Sequence, residues 1–419
     1  MSNNSTRFCL YPFHPWLACG IVLVILGVWF MLAIDNMRQR AEWEGKSPPD
    51  IVTGRQTVDP KVLAAIENAF GGVERGGDGT IVGVDLAQAR SSVNDGVLNA
   101  ALTISGLKKL RVAGSTISRE TLVKIAGQTQ LEELFLQDTV VRDEDLAAIL
   151  AGLPDLKRLT LRRCANVTDQ AAESFLAKNS LRNLALIEMN LGRETLETLS
   201  RSRSITALDL RDCSRLMPED FALVADMTQL TDLKIGGFGV NDQVLEYVAQ
   251  LPNLTGLTIE DAMISPDAFA RMIETSAWKS SLTQLVLSRN TTLFDAGLLP
   301  IQNLSKLRRL TVNGMMVTGS FLAQLAEDED TRPRLDSLSL RKAFLTADGA
   351  KALQRYRELK SLDLSGVAMT EELAAIIATL DTLETLNLSE CRLTDEMVKP
   401  LRNMPHVKSL DLAGNPISE

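Results

Sequence analysis

Histidine is almost absent from this sequence: there are two in 419 residues, His14 in the N-terminal tail and His406 near the C-terminus. That leaves no multi-histidine metal site and no base for a Ser-His-Asp or Cys-His arrangement. Cysteine is also scarce, with five residues and no Cys-x-x-Cys, so zinc and dithiol motifs are missing. Aromatic residues make up only 5%, which requires a largely aliphatic core. A basic excess is lacking too: 44 Lys+Arg stand against 53 Asp+Glu, a net charge of −9. A general nucleic-acid binder would need the opposite balance. The glycine runs Gly71-Gly72, Gly76-Gly77-Asp78-Gly79 and Gly236-Gly237-Phe238-Gly239 do not have phosphate-loop spacing and read as turns. No cofactor, metal or catalytic residue is expected, and a binding or structural role stands ahead of an enzyme.

Long apolar runs occur once. Trp16 to Ile34 holds nineteen residues without a charge, about 28 Å as a helix against a hydrocarbon core of about 30 Å. Trp16, Trp29 and Phe30 lie towards its ends, where aromatic side chains suit the bilayer interface. The run is long for a cleaved signal peptide, and no small-x-small site precedes Asp35. No lipobox precedes Cys19. Residues 16–34 are therefore expected to form an uncleaved signal-anchor, a single transmembrane helix behind a 1–15 tail. Arg7 on one side and Arg38, Arg40 and Lys46 on the other lean weakly towards a cytoplasmic C-terminal part, but large domains translocate largely regardless of charge. The side on which the remainder lies stays open.

Residues 35–58 are polar, contain Ser47-Pro48-Pro49-Asp50 and read as a linker. Asp59-Pro60 opens a helix from Lys61 to Phe70 that Gly71 closes, so residues 59–80 are expected to cap the open end of the first strand. Beyond it the pattern L-x-x-L-x-L, with Ile or Val allowed, recurs at a mean spacing of about 25 residues. It starts at Ile81, Leu107, Leu131, Leu156, Leu181, Ile205, Leu230, Leu254, Leu282, Leu307, Leu335, Leu359, Leu383 and Val407. Its last two apolar positions are two residues apart and share one face of a short strand. Helix N-cap residues follow, among them Asn94, Ser118, Thr168, Asn241, Ser265, Thr318, Thr346, Thr370, Thr394 and Ser418. Asp95, Asp169, Asp242 and Asp395 come next and suit the positive end of the helix dipole. Each unit reads as strand, turn, short helix and return loop, and stacking is needed to bury its apolar face. The expected fold is α/β: a curved parallel sheet inside, helices outside, about fourteen units over residues 81–419.

The turn after the strand repeats Leu159-Thr160-Leu161-Arg162-Arg163-Cys164, Leu208-Asp209-Leu210-Arg211-Asp212-Cys213 and Leu386-Asn387-Leu388-Ser389-Glu390-Cys391. On these motifs the chain resembles the leucine-rich repeat family, in its cysteine-containing form, over roughly residues 81 to 419. The stretches Ala65 to Val73 and Val82 to Leu86 also resemble membrane-anchored repeat proteins of planctomycete-type bacteria. The family's ninth position is usually Asn or Cys. Here Asn290, Asn415 and three cysteines fit, while Met189, Phe238 and Met315 do not, so a less regular turn ladder is expected. Two longer units place insertions at Ser276–Ser280 and Glu327–Asp330, expected to bulge at one edge. The last strand is expected either as a polar frayed edge or covered by a partner.

The resemblance implies a non-catalytic protein-binding module that uses its concave face. The residues flanking the strand leucines form that face, and eight are singled out: Phe135, Arg158, Arg162, Arg163, Asp209, Arg211, Asp232 and Glu260. Their charges fall into a basic block at Arg158–Arg163 and an acidic block at Asp209–Asp261, with the arginines expected to contact acidic groups of a protein or envelope ligand. The alternative is a membrane-tethered scaffold or adaptor that recruits cytosolic proteins. Oligomeric state is not readable from the sequence.

Overall fold

The computed structural model describes residues 7–8, 56, 58–88 and 92–418. The apolar run 16–34 lies outside the described residues. Among those described, no helix is long and apolar enough to cross a membrane.

One sheet organises the chain. Its strands are β1 (Arg7–Phe8), β2 (Gly72–Arg75), β3 (Ile81–Leu86), β4 (Lys109–Ala113), β5 (Glu133–Gln137), β6 (Arg158–Arg162), β7 (Asn183–Ile187), β8 (Ala207–Asp209), β9 (Asp232–Gly236), β10 (Gly256–Glu260), β11 (Gln284–Ser288), β12 (Arg309–Thr311), β13 (Ser337–Ser339), β14 (Ser361–Asp363), β15 (Thr385–Asn387) and β16 (Ser409–Asp411). From β3 to β16 each strand pairs in parallel with the next, in chain order. The register follows the leucines: Leu110, Leu134, Leu159 and Leu184 lie side by side and are at most 2% exposed. Burying each such side chain contributes about 1.5–3 kcal/mol. α-Helical or 3₁₀ segments follow each strand from β3 to β15, such as Asp95–Leu102, Asp143–Ala151 and Pro266–Thr275. Helices of about 10 Å diameter need more room per unit than strands about 4.8 Å apart, which makes the strand side concave. Strands end and helices begin at one edge of the array, here the turn edge. Helices end and strands begin at the other, the return edge.

A backbone rule governs the turn edge. Seven residues after the first apolar position, every unit from β4 to β16 turns through positive φ. Five of these residues are glycine (Gly114, Gly237, Gly314, Gly366, Gly414). The other eight are charged: Asp138, Arg163, Glu188, Asp212, Asp261, Arg289, Lys342 and Glu390. A non-glycine residue there costs roughly 1–2 kcal/mol, and packing of the flanking leucines must offset it.

Two polar ladders join the units behind this turn. The ninth-position side chain bonds the carbonyl of the third apolar residue one unit back. Cys213 Sγ reaches Leu186 O at 3.0 Å, Cys391 Sγ reaches Leu364 O at 3.1 Å, and Asn415 Nδ2 reaches Leu388 O at 2.7 Å. Asn290, fully buried, donates to Ile259 O and accepts from Ala262 N. Met189 and Met315 fill the same position as buried apolar plugs, whereas Phe238 swings out to 94% exposure. The second ladder comes from the aspartates at helix starts. Each bonds the cap residue of the following unit: Asp95 with Ser118 N, Asp143 with Thr168, Asp242 with Ser265, Asp295 with Thr318 and Asp395 with Ser418. They do more than complement the helix dipole, because each ties one unit to the next.

Four expectations change. The helix Pro60–Asn68 does not cover the first strand edge; β2 does, pairing antiparallel with β3. Phe70 is 77% exposed at φ 57°, outside the helix and not packed on the core. The Ser276–Ser280 insertion does not bulge: Trp278 is fully buried and its indole N–H donates to Val248 O at 3.0 Å. The edge of β16 is met by β1 in antiparallel register, Arg7 opposite Asp411 and Phe8 opposite Leu410.

Candidate protein-binding face

Two rows of side chains rise from the concave sheet between the buried leucines. One runs Lys109, Glu133, Arg158, Asn183, Ala207, Asp232, Gly256. The other runs Asp85, Arg111, Phe135, Thr160, Ala185, Asp209, Lys234, Thr258. Period-2 alternation in the strands puts every one of these outward once the leucines point in.

The basic block is neutralised within the array. Arg158 pairs with Glu133 of the preceding strand. Arg162 Nε donates to Glu188 Oε1 at 2.8 Å. Arg163 donates to Asp138 at 2.7 Å and to Glu188 at 3.0 Å. Because Arg163 takes the left-handed position, it lies on the turn edge instead of the sheet floor. Burial alone would raise the Glu188 pKa, but its bonds to Arg162 and Arg163 bring it below the usual carboxylate range. Arg211 is similarly engaged: Nη2 meets Asp209 at 2.7 Å and Nη1 meets Glu260 at 2.9 Å. Arg289 lies 3.7 Å from Glu260 and donates to Asp261 at 2.6 Å. The partners of all four predicted arginines are thus one or two units away in the stack, except Asp209, which belongs to the same unit as Arg211. Phe135 is covered as well, with the Arg111 guanidinium carbon 4.0 Å from its ring centroid, a cation–π contact.

Asp232 differs from the other seven. It is half-buried, and its carboxylate makes no hydrogen bond or ion pair with any described residue. Burial pushes its carboxyl up from the ordinary value; Lys234 lowers it and Asp209 adds to the rise. Its neighbours in the row, Ala207 and Gly256, are small, and a Cβ on Gly256 would stand 2.3 Å from Asp232 Oδ2. The carboxylate therefore leans into a notch. Asp212, nearby on the turn edge, is raised in the same direction by burial and by Asp261 and Glu188.

At the β2 end of the face lies a depression of about 420 Å³ floored by Gly83 and walled by Glu74, Lys109, Arg111 and Phe135. Lys109 pairs with Glu74 at 2.8 Å across its rim. Among the described residues no group of three His, Cys, Asp or Glu could hold a metal ion. The three described thiols, Cys164, Cys213 and Cys391, are buried and free. Burial pushes Cys213 up to about 12 and Cys391 up to about 11, which makes both poor nucleophiles.

The face changes character after β11. Its outward residues become Arg309, Thr311, Ser337, Ser339, Ser361, Asp363, Thr385, Asn387, Ser409 and Asp411, most of them hydroxyl-bearing and only three charged. In β14, β15 and β16 an Asp or Asn accepts from the backbone N–H two residues on (Asp363 from Ser365, Asn387 from Ser389, Asp411 from Ala413). These turns divert an N–H from the sheet ladder, so the strands stop after three residues where β4 to β7 run five.

Known proteins share parts of this pattern. Residues 382–404 and 403–418 each match a family described as leucine rich repeat. A putative RNA-binding protein of Caenorhabditis elegans is 26% identical over 155 residues, 35% of this chain; the match spans one fifth of that protein's length. An internalin (InlF) structure from Listeria monocytogenes is similar over 86% of this chain and 90% of its own, with 16% identity and a TM-score of 0.39. A chain of the yeast Rad7 and Elc1 complex is similar over 90% of this chain and 94% of its own, with 16% identity and a TM-score of 0.45. The L-x-x-L-x-L register is thus built as parallel strands from β3 to β16, an array of leucine-rich repeats whose last units, residues 382–418, match that family directly.

Proposed function

We propose that the protein is a membrane-tethered, non-catalytic binding module that takes a protein partner on the concave face between β4 and β11. Asp232 carries this reading. A face built only for solubility would hydrate its charges or pair them, as the arginines here are paired. A half-buried carboxylate without a partner is instead a standing cost that a cationic group can relieve. The ligand would place a Lys or Arg side chain over the Ala207–Gly256 notch. The five carboxylates Asp209, Asp212, Asp232, Glu260 and Asp261 outnumber Arg211, Lys234 and Arg289 in this stretch, which favours a basic ligand segment there. Arg158, Arg162, Arg163 and Phe135 lie further along the same face, on β5, β6 and the turn after it, and would meet the ligand as pre-paired groups. The tether is the uncharged segment 16–34.

Capture of a partner from membrane extracts by the immobilised full chain tests this reading. Asp232→Lys places a like charge against the proposed cation and is expected to abolish capture while leaving thermal unfolding unchanged or slightly raised. Undiminished capture by Asp232→Lys overturns it. A reporter fused at Glu419 and active on one side of the membrane only then assigns the side. Because β1 meets β16 in the fold, a chain that crosses the bilayer between Trp16 and Ile34 cannot make that pairing within itself. Protease protection of the tail and the array on the same side would exclude the span.

A further inference from the structure

Seven large apolar side chains among the described residues are at least half exposed, and all seven lie on the turn edge. Phe238, at 94%, stands on the turn after β9. Met263 (66%), Met316 (55%) and Phe344 (63%) occupy one equivalent position, two residues past the left-handed residue of their units. Met217 and Phe294 immediately precede the helical segments Pro218–Phe221 and Asp295–Asn303. Phe70 stands where the chain turns into β2, next to the end of β3. Three glycines hold Phe238 out. A Cβ on Gly236 would lie 2.3 Å from Glu260 O, one on Gly239 would lie 2.4 Å from Leu216 O, and Gly237 has φ +89°. The return edge carries none of the seven. It is laced by hydroxyls, Thr231 to Thr206 O and Thr255 to Thr231 O, and by ion pairs such as Lys157–Glu132–Lys108.

We infer that the turn edge rests on a lipid bilayer, with these side chains entering the boundary between headgroups and acyl chains. This rests on the reading of residues 16–34 as an anchor. The side chains stand as separate protrusions, and none lines the depression by β2 or the two grooves on the helical side. A folded partner would need a pocket for each, whereas a fluid apolar phase accepts them singly. The chain outside the structure supplies the proximity. Residues 35–55 between the apolar run and Gln56 reach up to about 70 Å when extended, enough to bring either edge to the surface, and tethering lets weak individual contacts suffice. The charge on this edge selects the lipid. The helix-start carboxylates Asp143, Asp169, Asp242, Asp267, Asp295 and Asp395 all lie there. Neutral phosphatidylcholine is therefore preferred over anionic lipid.

The test uses the full chain reconstituted in phosphatidylcholine vesicles whose acyl chains carry bromine as a fluorescence quencher. Phe238→Trp adds an emitter on the turn edge, Phe344→Trp repeats the test at a second position, and Lys306→Trp is the return-edge control. Brominated lipid is expected to remove about half or more of the emission added at 238 and 344, as for rings about 5–10 Å into the boundary. Emission added at 306 is expected to be unaffected, and replacing a third of the lipid with phosphatidylserine to weaken the quenching. Native Trp16 and Trp29 report the anchor in the same samples. If they are quenched while the emission added at 238 and 344 is not, the edge contact is wrong and the anchor stands. If 238 and 344 are quenched while Trp16 and Trp29 are not, the edge contact stands and the anchor is wrong. Equal quenching at 306 and 238 overturns the orientation.

Discussion

Strands β4 to β7 run five residues and carry charges that find partners across neighbouring units, while β12 to β16 run three residues and present mostly hydroxyls, with Arg309, Asp363 and Asp411 among them. Both stretches stand on the same leucine lattice. Asp138, Arg163 and Glu188 follow one another along the turn edge as a chain of ion pairs. At the corresponding positions further on, glycines alternate with Lys342 and Glu390. Lys342 lies across the glycine of the next unit, whose Cβ would stand 2.8 Å from its Cγ, and makes no ion pair with any described residue. The contrast teaches that the core lattice and the surface can be specified almost independently. The leucines fix where a side chain emerges, and the residue about 25 positions away decides whether its charge is answered.

The strongest way to break the comparison is through the two insertions, one ahead of β11 and one inside the later stretch. Trp278→Ala empties a fully buried site and strands the Val248 carbonyl, and should lower stability by about 3–5 kcal/mol in denaturant unfolding. Deletion of Glu327–Asp330, exposed in the later stretch, should cost under about 1 kcal/mol. If the two losses are alike, the division of the array is wrong. Next in size is the ion-pair chain. Arg163→Met leaves Asp138 and Glu188 half-buried without it and should cost about 1–3 kcal/mol, against about 0.5 kcal/mol or less for Lys342→Met. A double-mutant cycle of Arg163→Met with Glu188→Gln reads the coupling directly, and additivity of the two changes would refute it.

Smaller effects follow from protonation. Asp232 has its folded pKa raised by burial, so its charged form opposes folding. Asp232→Asn should be more stable than the parent at neutral pH. The gap should close as pH falls through the folded pKa and vanish below the unfolded value of about 3.9. Asp169 has the opposite sign. Burial would raise its pKa, yet bonds from Thr195 and Gly192 and the Arg215 charge outweigh that and lower it. Its contribution is present above about pH 3.9 and is lost as pH falls through the folded value. Asp169→Asn should accordingly flatten the acid limb of a stability profile, and an unchanged limb would count against the inter-unit ladder as a source of acid sensitivity.

Much of the fold was legible because it is written in short-range pattern. The leucine register set the strands, and Asn94, Ser118, Asn241, Ser265, Thr346 and Thr370 all cap helices through their side chains as their residue types imply. Arg158 and Arg162 read as free cations because their partners Glu133 and Glu188 lie 25 and 26 residues away, visible only once neighbouring units are stacked. Trp278 read as part of a loop because nothing local says that a return loop folds inward. Asp232 was found among the surface residues, but its isolation depends on Ala207 and Gly256 in adjacent strands, which supply no donor. The common edge of Met263, Met316 and Phe344 was available in principle, since they share one offset in the repeat.

The Trp278 contact to Val248 has a mechanical consequence. An array whose units touch only their neighbours should peel from its C-terminal end under tension, one unit of about 25 residues and roughly 85 Å of contour at a time. Deep inside the array this indole clamps the loop before β11 to the helix that follows β9. A pulling trace should therefore show a run of weak, evenly spaced ruptures, then a plateau where the clamp holds, then a larger drop as it yields. The protein would behave as a ratchet with one catch, its first half keeping shape under loads that have already unwound the second.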